Sequence, residues 1–148
     1  MIPMRGDKPL IPRNLGAYTF RFDCDKLLGS PRPRFARNGR TYMPKEYTKF
    51  KEDIAKAYME QVGIWFGYRP VRVDMSFNRK LPKSRPLKIT HEIDLFTPDI
   101  DNLMKSFFDA LNGVAWADDR TVVQVNAMKQ PRRRSDTDFA EVRIQDLS

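Results

Sequence analysis

The stretch TPDIDNLMKSFFDALNGVAWADDRTVV, Thr97 to Val123, carries most of what can be read from this chain. From Asn102 to Leu111 the apolar residues Leu103, Phe107, Phe108 and Leu111 recur at helical spacing and define one helix face. Asn112-Gly113 supplies the C-terminal stop. WADD makes a turn, and TVVQVNAMKQ (121–130) follows as a strand with Val123, Val125 and Ala127 alternating. The charges are as informative as the periodicity. Between His91 and Asp119 stand seven carboxylates (Glu92, Asp94, Asp99, Asp101, Asp109, Asp118, Asp119) and one basic residue, Lys105. The segment is near −6 in a chain of 148 residues whose net charge is +8. An acidic pocket in a polyanion-binding body is electrostatically odd unless something cationic occupies it.

Outward from this stretch, the chain reads as a succession of short elements. AYTFRFDC (17–24) alternates Tyr18, Phe20 and Phe22 against smaller or polar neighbours, a strand pattern. A long Arg/Pro/Gly-rich loop runs to Pro44, with Asn38-Gly39 as the turn of a short hairpin in FARNGRTYM. KEYTKFKEDIAKAYMEQVG (45–63) places Tyr47, Phe50, Ile54, Tyr58 and Val62 at intervals of three and four, an amphipathic helix ending at Gly63. PVRVDMSFNRKLP (70–82) alternates Val71, Val73, Met75 and Phe77 against polar residues, a half-buried strand. A last strand, FAEVRIQ, turns Val142 and Ile144 inward. The order is β-α-β-α-β-β without internal repeat or linker. The expected fold is therefore α/β in the α+β sense: one domain over 1–148, with 1–16 as an irregular leader. Its mixed sheet has about four strands, with two helices on one face.

Composition excludes several classes. The longest apolar run, around GIWFGY, is far short of a membrane span, and the N-terminus has no apolar run of secretory type. With one cysteine, Cys24, there is no internal disulfide and no cysteine-rich zinc site. With one histidine, His91, zinc chemistry needing a His pair cannot be built. Carboxylates and lysine must carry any catalysis, and a cytoplasmic protein is the simplest expectation. A pI near 9.8 points to nucleic acid, an acidic partner or a membrane surface. Residues 26–51 hold eight basic side chains against one acidic one. There Arg32, Arg34, Arg37 and Arg40 interleave with prolines, Phe35 and Tyr42, a pattern that suits a phosphate backbone with some base stacking. A solvated surface loop has the same composition. KQPRRR (129–134) is a second basic cluster, expected at a hairpin tip.

In an extended Asp99-Ile100-Asp101, residues two apart face the same side, so both carboxylates would address one point. Asn102 then starts the helix, and Asp101 stands where it can cap backbone N–H groups. A helix of roughly ten residues and a turn would bring Asp118 and Asp119 back beside Asp99, completing a cluster of hard oxygen ligands suited to Mg²⁺ or Mn²⁺. Lys105 follows Asp101 by one helical turn. It can serve a phosphate, or stand as a surface lysine paired with Asp101 or Asp109. Two readings stay open on these residues: metal-dependent phosphodiester chemistry, or a basic nucleic-acid-binding module with an acidic surface.

Beyond the individual residues, PDIDNLMKSFFDALNGVAWADDRTVVQV (98–125) resembles the signature of the RusA family of Holliday junction resolvases, often carried by phages and prophages. That signature runs Asp-Leu-Asp-Asn-Leu-x-Lys, Asp-x-Leu, an aromatic residue before Asp-Asp, then a valine-rich strand. GSPRPRFARNGRTYMPKEY (29–47) is similar to the family's Arg/Pro-rich segment ahead of its first helix. The resemblance implies a homodimeric, Mg²⁺-dependent endodeoxyribonuclease of DNA recombination and repair, with Mn²⁺ as the alternative ion. It would bind four-way junction DNA and nick two opposed strands, leaving 5′-phosphate and 3′-hydroxyl ends, with no organic cofactor and no membrane. Carried over by position, the metal-binding aspartates fall on Asp99, Asp101 and Asp119, and the essential lysine on Lys105. Asp118 becomes an auxiliary acid, with a swap of roles between Asp118 and Asp119 left open. Arg32, Arg34, Arg37, Arg40 and Lys129 are the expected DNA backbone contacts. The chain departs from the family in its leader and in the loop 83–98. A looser branched or flap DNA nuclease and a non-catalytic branched-DNA-binding protein are the alternatives.

Overall fold

In the computed structural model of the chain, the described residues are 13–148 together with two short strands ahead of them, with the side chain of Arg34 outside this set. In chain order the elements are β1 (Met4–Arg5), β2 (Lys8–Pro9), β3 (Ala17–Cys24), β4 (Arg34–Phe35), β5 (Thr41–Tyr42), α1 (Lys45–Gln61) and β6 (Val71–Asn78). Then come β7 (His91–Glu92), α2 (Ile100–Leu111), a 3₁₀ turn at Asp119–Thr121, β8 (Val122–Lys129), β9 (Arg132–Arg133) and β10 (Asp138–Asp146). Much of the leader expected at 1–16 falls outside the described residues. Where described, β1 pairs with β2, and the segment entering β3 is tied down: Leu15 N–H donates to the Asp146 carboxylate at 2.8 Å, and Asn14 Nδ2 to the Ser148 carbonyl.

Four strands form the main sheet in the order β3-β10-β6-β8. β10 runs antiparallel to both β3 and β6, whereas β6 and β8 are parallel. Parallel neighbours cannot be joined by a tight turn, and α2 supplies the crossover. The sheet is mixed, as the α+β expectation held, and α1 and α2 pack against each other over it. Alternation explains the buried face: Phe20 and Phe22, then Val71, Val73, Met75 and Phe77, then Ala140, Val142 and Ile144 all turn under the helices. Phe107 of α2 is the keystone. Its ring meets Phe22, Phe50 and Phe77 at centroid distances of 6.0, 6.3 and 5.6 Å. Each such pair adds ~0.5–1.5 kcal/mol beyond the area buried.

The structure revises three local expectations. First, α2 begins at Ile100 rather than Asn102, so Asp99 is its N-cap and Asp101 already lies in its first turn. Second, Val123 does not share the inward face with Val125 and Ala127, which stand beside buried Val73 and Met75. A register shift at Val71/Arg72 leaves Val123 without a partner and 62 % exposed, while Val125, on the outermost strand, is 37 % exposed. Third, the loop 83–98 contains a strand of its own: β7 pairs with β9, so the basic cluster after Lys129 is partly ladder rather than bare hairpin tip. The two outer edges of the sheet differ. On β3, the Gln61 side chain accepts from Arg21 N–H at 2.9 Å and donates to its carbonyl at 2.7 Å, a plug on an edge that would otherwise invite pairing. No side chain among the described residues covers the outer edge of β8.

Candidate active site

The residues singled out in sequence gather first at the start of α2. Asp99 is extended (φ −66°, ψ 157°) and its side chain makes no capping hydrogen bond, while its carbonyl accepts the first helical bond, from Leu103 N–H at 3.1 Å. Asp101 follows in the first turn, and Lys105 one turn later on the same side. All three are exposed. Among the described residues none of them has an ion-pair partner, so Lys105 is not neutralised by Asp101 or Asp109; the Asp109 carboxylate instead accepts from Tyr47 Oη at 3.1 Å. Two free carboxylates beside the first turn are well placed electrostatically, because unpaired N–H groups and the positive end of the helix dipole favour negative charge there.

Two clamps hold this turn in place. On one side the segment 28–30 lies against α2. Ser106 Oγ donates to the Leu28 carbonyl at 2.8 Å, and Ser30 N–H donates to the Asn102 carbonyl at 3.1 Å. Gly29 is needed for this approach: a Cβ there would stand 2.8 Å from Pro98 Cβ and 3.2 Å from Asn102 Cβ. The Arg/Pro-rich segment therefore starts at the acidic turn. On the other side stands a buried ionic cluster. Asp94, whose side chain is fully buried, accepts from Arg79 Nη1 at 3.2 Å and lies 3.6 Å from Lys129 Nζ. Lys129 Nζ also donates to the carbonyls of Phe96 at 2.6 Å and Pro98 at 3.0 Å.

This revises the expected role of Lys129. Its side chain is 13 % exposed and its ammonium is fully engaged in holding the 94–98 loop, so it is a positioning residue rather than a phosphate contact. Arg32, Arg37 and Arg40 are different: they are exposed, and no carboxylate among the described residues pairs with them. Arg34 lies in β4 and its side chain falls outside the described residues. Phe35 and Tyr42, 79 % and 49 % exposed, stand on the same small hairpin. Asp94, Arg79 and Gly29 were not singled out in sequence. A carboxylate five residues before the motif reads there as one more acid of the cluster.

Asp118 and Asp119 stand elsewhere. Asp118 caps the 3₁₀ turn, accepting from Arg120 N–H at 3.2 Å, and pairs with the Arg120 guanidinium at 3.7 Å. The Arg120 N–H holds its carboxyl below the ordinary range. Partial burial, the adjoining Asp118 and the charge of Asp109 push Asp119 above its ordinary value, with the Asn112 amide opposing them. Asp119 is thus the less committed member of the pair, and its neighbours place it by the C-terminal end of α2. A crossover helix lies antiparallel to the strands it joins, so its two ends are one helix length apart. The 12 residues of α2 span ~18 Å. β8 says the same: its far end reaches Pro98 through Lys129, and its 8 residues span ~26 Å from the Asp119 end. The expected return of Asp119 to Asp99 and Asp101 does not occur within one chain. Among the described residues no three His, Cys, Asp or Glu side chains are grouped to hold a metal ion.

Two comparisons bear on this site. The family described as "Endodeoxyribonuclease RusA" matches residues 26–145, from the Arg/Pro-rich segment through the last strand. A protein of Bacillus subtilis (strain 168), described as "Uncharacterized protein YqaN", is 32 % identical over 143 residues, covering 85 % of this chain and 99 % of its own length.

Proposed function

The chain belongs to the RusA family of endodeoxyribonucleases, and from that premise we propose that it is a one-domain nuclease that resolves four-way DNA junctions. The reading includes paired nicks in two opposed strands, 5′-phosphate and 3′-hydroxyl ends, and work in recombination and repair in the cytoplasm of a bacterial or phage-infected host. No helix of the described chain is long and apolar enough to cross a membrane. The observation that carries the reading is the unpaired set Asp99, Asp101 and Lys105 at one helix start, with the exposed arginines running out from the same turn through Gly29 and Ser30.

Each of these residues has a use in this chemistry. The free N–H groups at the start of α2 attract a phosphate. Lys105 places a mobile ammonium one turn along, where it offsets charge developing on the phosphate during in-line attack. Arg32, Arg37 and Arg40 hold the strand backbone and fix its register. Asp99 and Asp101 would repel the same phosphate unless a cation stands between them, which is the reason for a divalent ion, Mg²⁺ or Mn²⁺. Bound, such an ion supplies water activation and neutralises phosphate charge. Within one chain the described carboxylates do not fit it, because Asp119 lies at the other end of α2.

One observation favours a second reading, a non-catalytic binder of branched DNA: the absent three-carboxylate group among the described residues of one chain. A labelled four-way junction separates the two. The wild-type protein is expected to nick it symmetrically with Mg²⁺ and not with EDTA, in preference to flaps and plain duplex, while Asp99→Asn binds the junction and leaves it intact. Junction binding with unchanged DNA in every lane selects the binder; equal cutting of flaps and junctions selects a looser nuclease.

A further inference from the structure

The loop ahead of the acidic turn ends in a tip of unusual composition. Leu95 N–H donates to the Ile93 carbonyl at 3.2 Å, closing a tight turn with Asp94 at its centre. Asp94 is buried, whereas Ile93 and Leu95 on either side of it are 72 % and 84 % exposed. Single exposed apolar residues are ordinary. Two on one tip are not, when the tip is pinned from below. Asp94 is held by Arg79 and Lys129, and the Phe96 carbonyl accepts from the same two cations at 3.2 and 2.6 Å. The Arg132 guanidinium stands over the Phe96 ring, 4.6 Å from its centroid. The free charges of this region have one sign. Between Arg79 and Pro98 the only acids are Glu92 and Asp94, and both are in ion pairs. Lys83 and Lys88 on the loop, and Arg133 and Arg134 on the segment laced to it, are exposed, with no carboxylate partner among the described residues.

We propose that Ile93 and Leu95 form an apolar wedge that enters the base stack at the branch point of a four-way junction, and so selects branched DNA over plain duplex. The inference deepens the nuclease reading above and rests on it for its ligand. Exposed apolar side chains among free cations suit a partner that is anionic outside and apolar within. DNA is both, with phosphates on its surface and stacked bases inside. Inserting a side chain between bases costs the stacking it interrupts. In plain duplex every pair has a regular neighbour on each side, and the full cost is met. Where strands pass from one arm to another, the end pairs have lost a regular neighbour and open at less cost. The wedge therefore gains most at the crossing. It also has to be rigid, because a mobile tip would fold aside instead of parting the bases. The buried Asp94 cluster supplies that rigidity and sets the wedge in register with the acids, since Lys129 Nζ also holds the Pro98 carbonyl at 3.0 Å. Leu95 precedes Asp99 by four residues. Such a length of chain spans at most ~14 Å, which is ~4 nucleotides at the rise of one DNA strand, so the scissile phosphate lies close to the parted step.

The test uses full-length chains and a four-way junction with 2-aminopurine beside the branch point, read without a divalent ion so that nothing is cut. The wild type is expected to bind and to raise the fluorescence as the base unstacks. Ile93→Ser with Leu95→Ser, both at exposed positions and checked for folding by circular dichroism, is expected to bind the junction and lose the rise. Ile93→Val with Leu95→Met is expected to keep it. With Mg²⁺ the serine variant should nick an intact junction about tenfold more slowly, and regain the wild-type rate on a junction with mismatched bases at the branch point. A loss that the mismatches do not restore is structural and overturns the proposal. So does a serine variant that keeps the rise, or one that sediments as a different oligomer from wild type, which would put the two side chains between copies of the chain. Bound wild type that nicks with unchanged fluorescence overturns the wedge and leaves the nuclease reading standing. A fluorescence rise with no nicking in Mg²⁺ overturns the nuclease reading and leaves the wedge, and a wild type that does not bind the junction overturns both.

Discussion

Asp94→Ala removes the centre of the cluster that fixes the loop ahead of the acidic turn. The wild-type carboxylate faces Arg79 at 3.2 Å and Lys129 at 3.6 Å, with their side chains 10 % and 13 % exposed, and it also accepts from Phe96 N–H at 3.3 Å. Without it two cations face each other with little water to screen them. Breaking a buried pair by deleting one partner costs ~3–5 kcal/mol, and the residual exposure of Arg79 and Lys129 puts this case near the lower end, about 3 kcal/mol. For a chain of this size each kcal/mol lowers the melting temperature by ~2–4 °C, so the midpoint is expected to fall by about 6–12 °C. Asp94→Asn keeps acceptors for Arg79 and Phe96 and is expected to lose about half as much. Differential scanning calorimetry with a urea titration measures both variants. Nicking assayed well below the melting midpoint should also decline in Asp94→Ala, because Lys129 no longer has a charge partner as it holds the carbonyls of Phe96 and Pro98. A midpoint within ~2 °C of wild type would refute the reasoning, showing that water reaches the two cations after all.

Three further expectations follow from the same geometry. Gly29→Ala forces its new Cβ to within 2.8 Å of Pro98; overpacking of this kind costs ~1–3 kcal/mol, read as a lower urea midpoint, and should weaken nicking more than junction binding. Replacing Arg32, Arg37 or Arg40 by Ala is expected to lower junction affinity and to flatten the slope of log K against log salt by about 0.9 for each phosphate left without its arginine, measured by fluorescence anisotropy; an unchanged slope removes that residue from the interface. Burial by itself would raise the Asp146 carboxyl, but the N–H groups of Leu15 and Ser148, the Ser148 hydroxyl and Arg69 outweigh it and hold it below its ordinary value. A depressed carboxyl contributes stability above its unfolded pKa of ~3.9, and that contribution is lost as pH falls through the folded value. Asp146→Asn should therefore destabilise at neutral pH and converge on wild type in acid; a constant gap in urea midpoint across that window would contradict the assignment.

Local order was open to reading because it is set by neighbours along the chain. The alternation in 17–24 and 71–77 and the three-and-four spacing in 45–62 each reappear as an element with most of the expected face buried, since burial of an apolar stripe depends on period rather than on partner. Tyr18 at 37 % exposure and Val62 just past the helix end are the departures. Asn38-Gly39 likewise turns the hairpin between β4 and β5, with Gly39 at a φ of +79° that glycine adopts without strain. Lys129 was misread for the opposite reason. A lysine beside PRRR reads as one of a basic group, and only folding brings Asp94 and two carbonyls to its ammonium.

The chemical vocabulary of the site also lies in the order of residues: two aspartates, a lysine one turn on, and a later aspartate pair, within the span that matches the endodeoxyribonuclease family. Their distribution in space does not. Helical periodicity says which side chains share a face, but nothing about where the next strand returns. Because β6 and β8 are parallel, the connecting helix must run the full height of the sheet, and carboxylates at its two ends stay a helix length apart. Which edge is plugged and which is left open depends on Gln61 meeting Arg21 across forty residues, a contact made by packing and by nothing local.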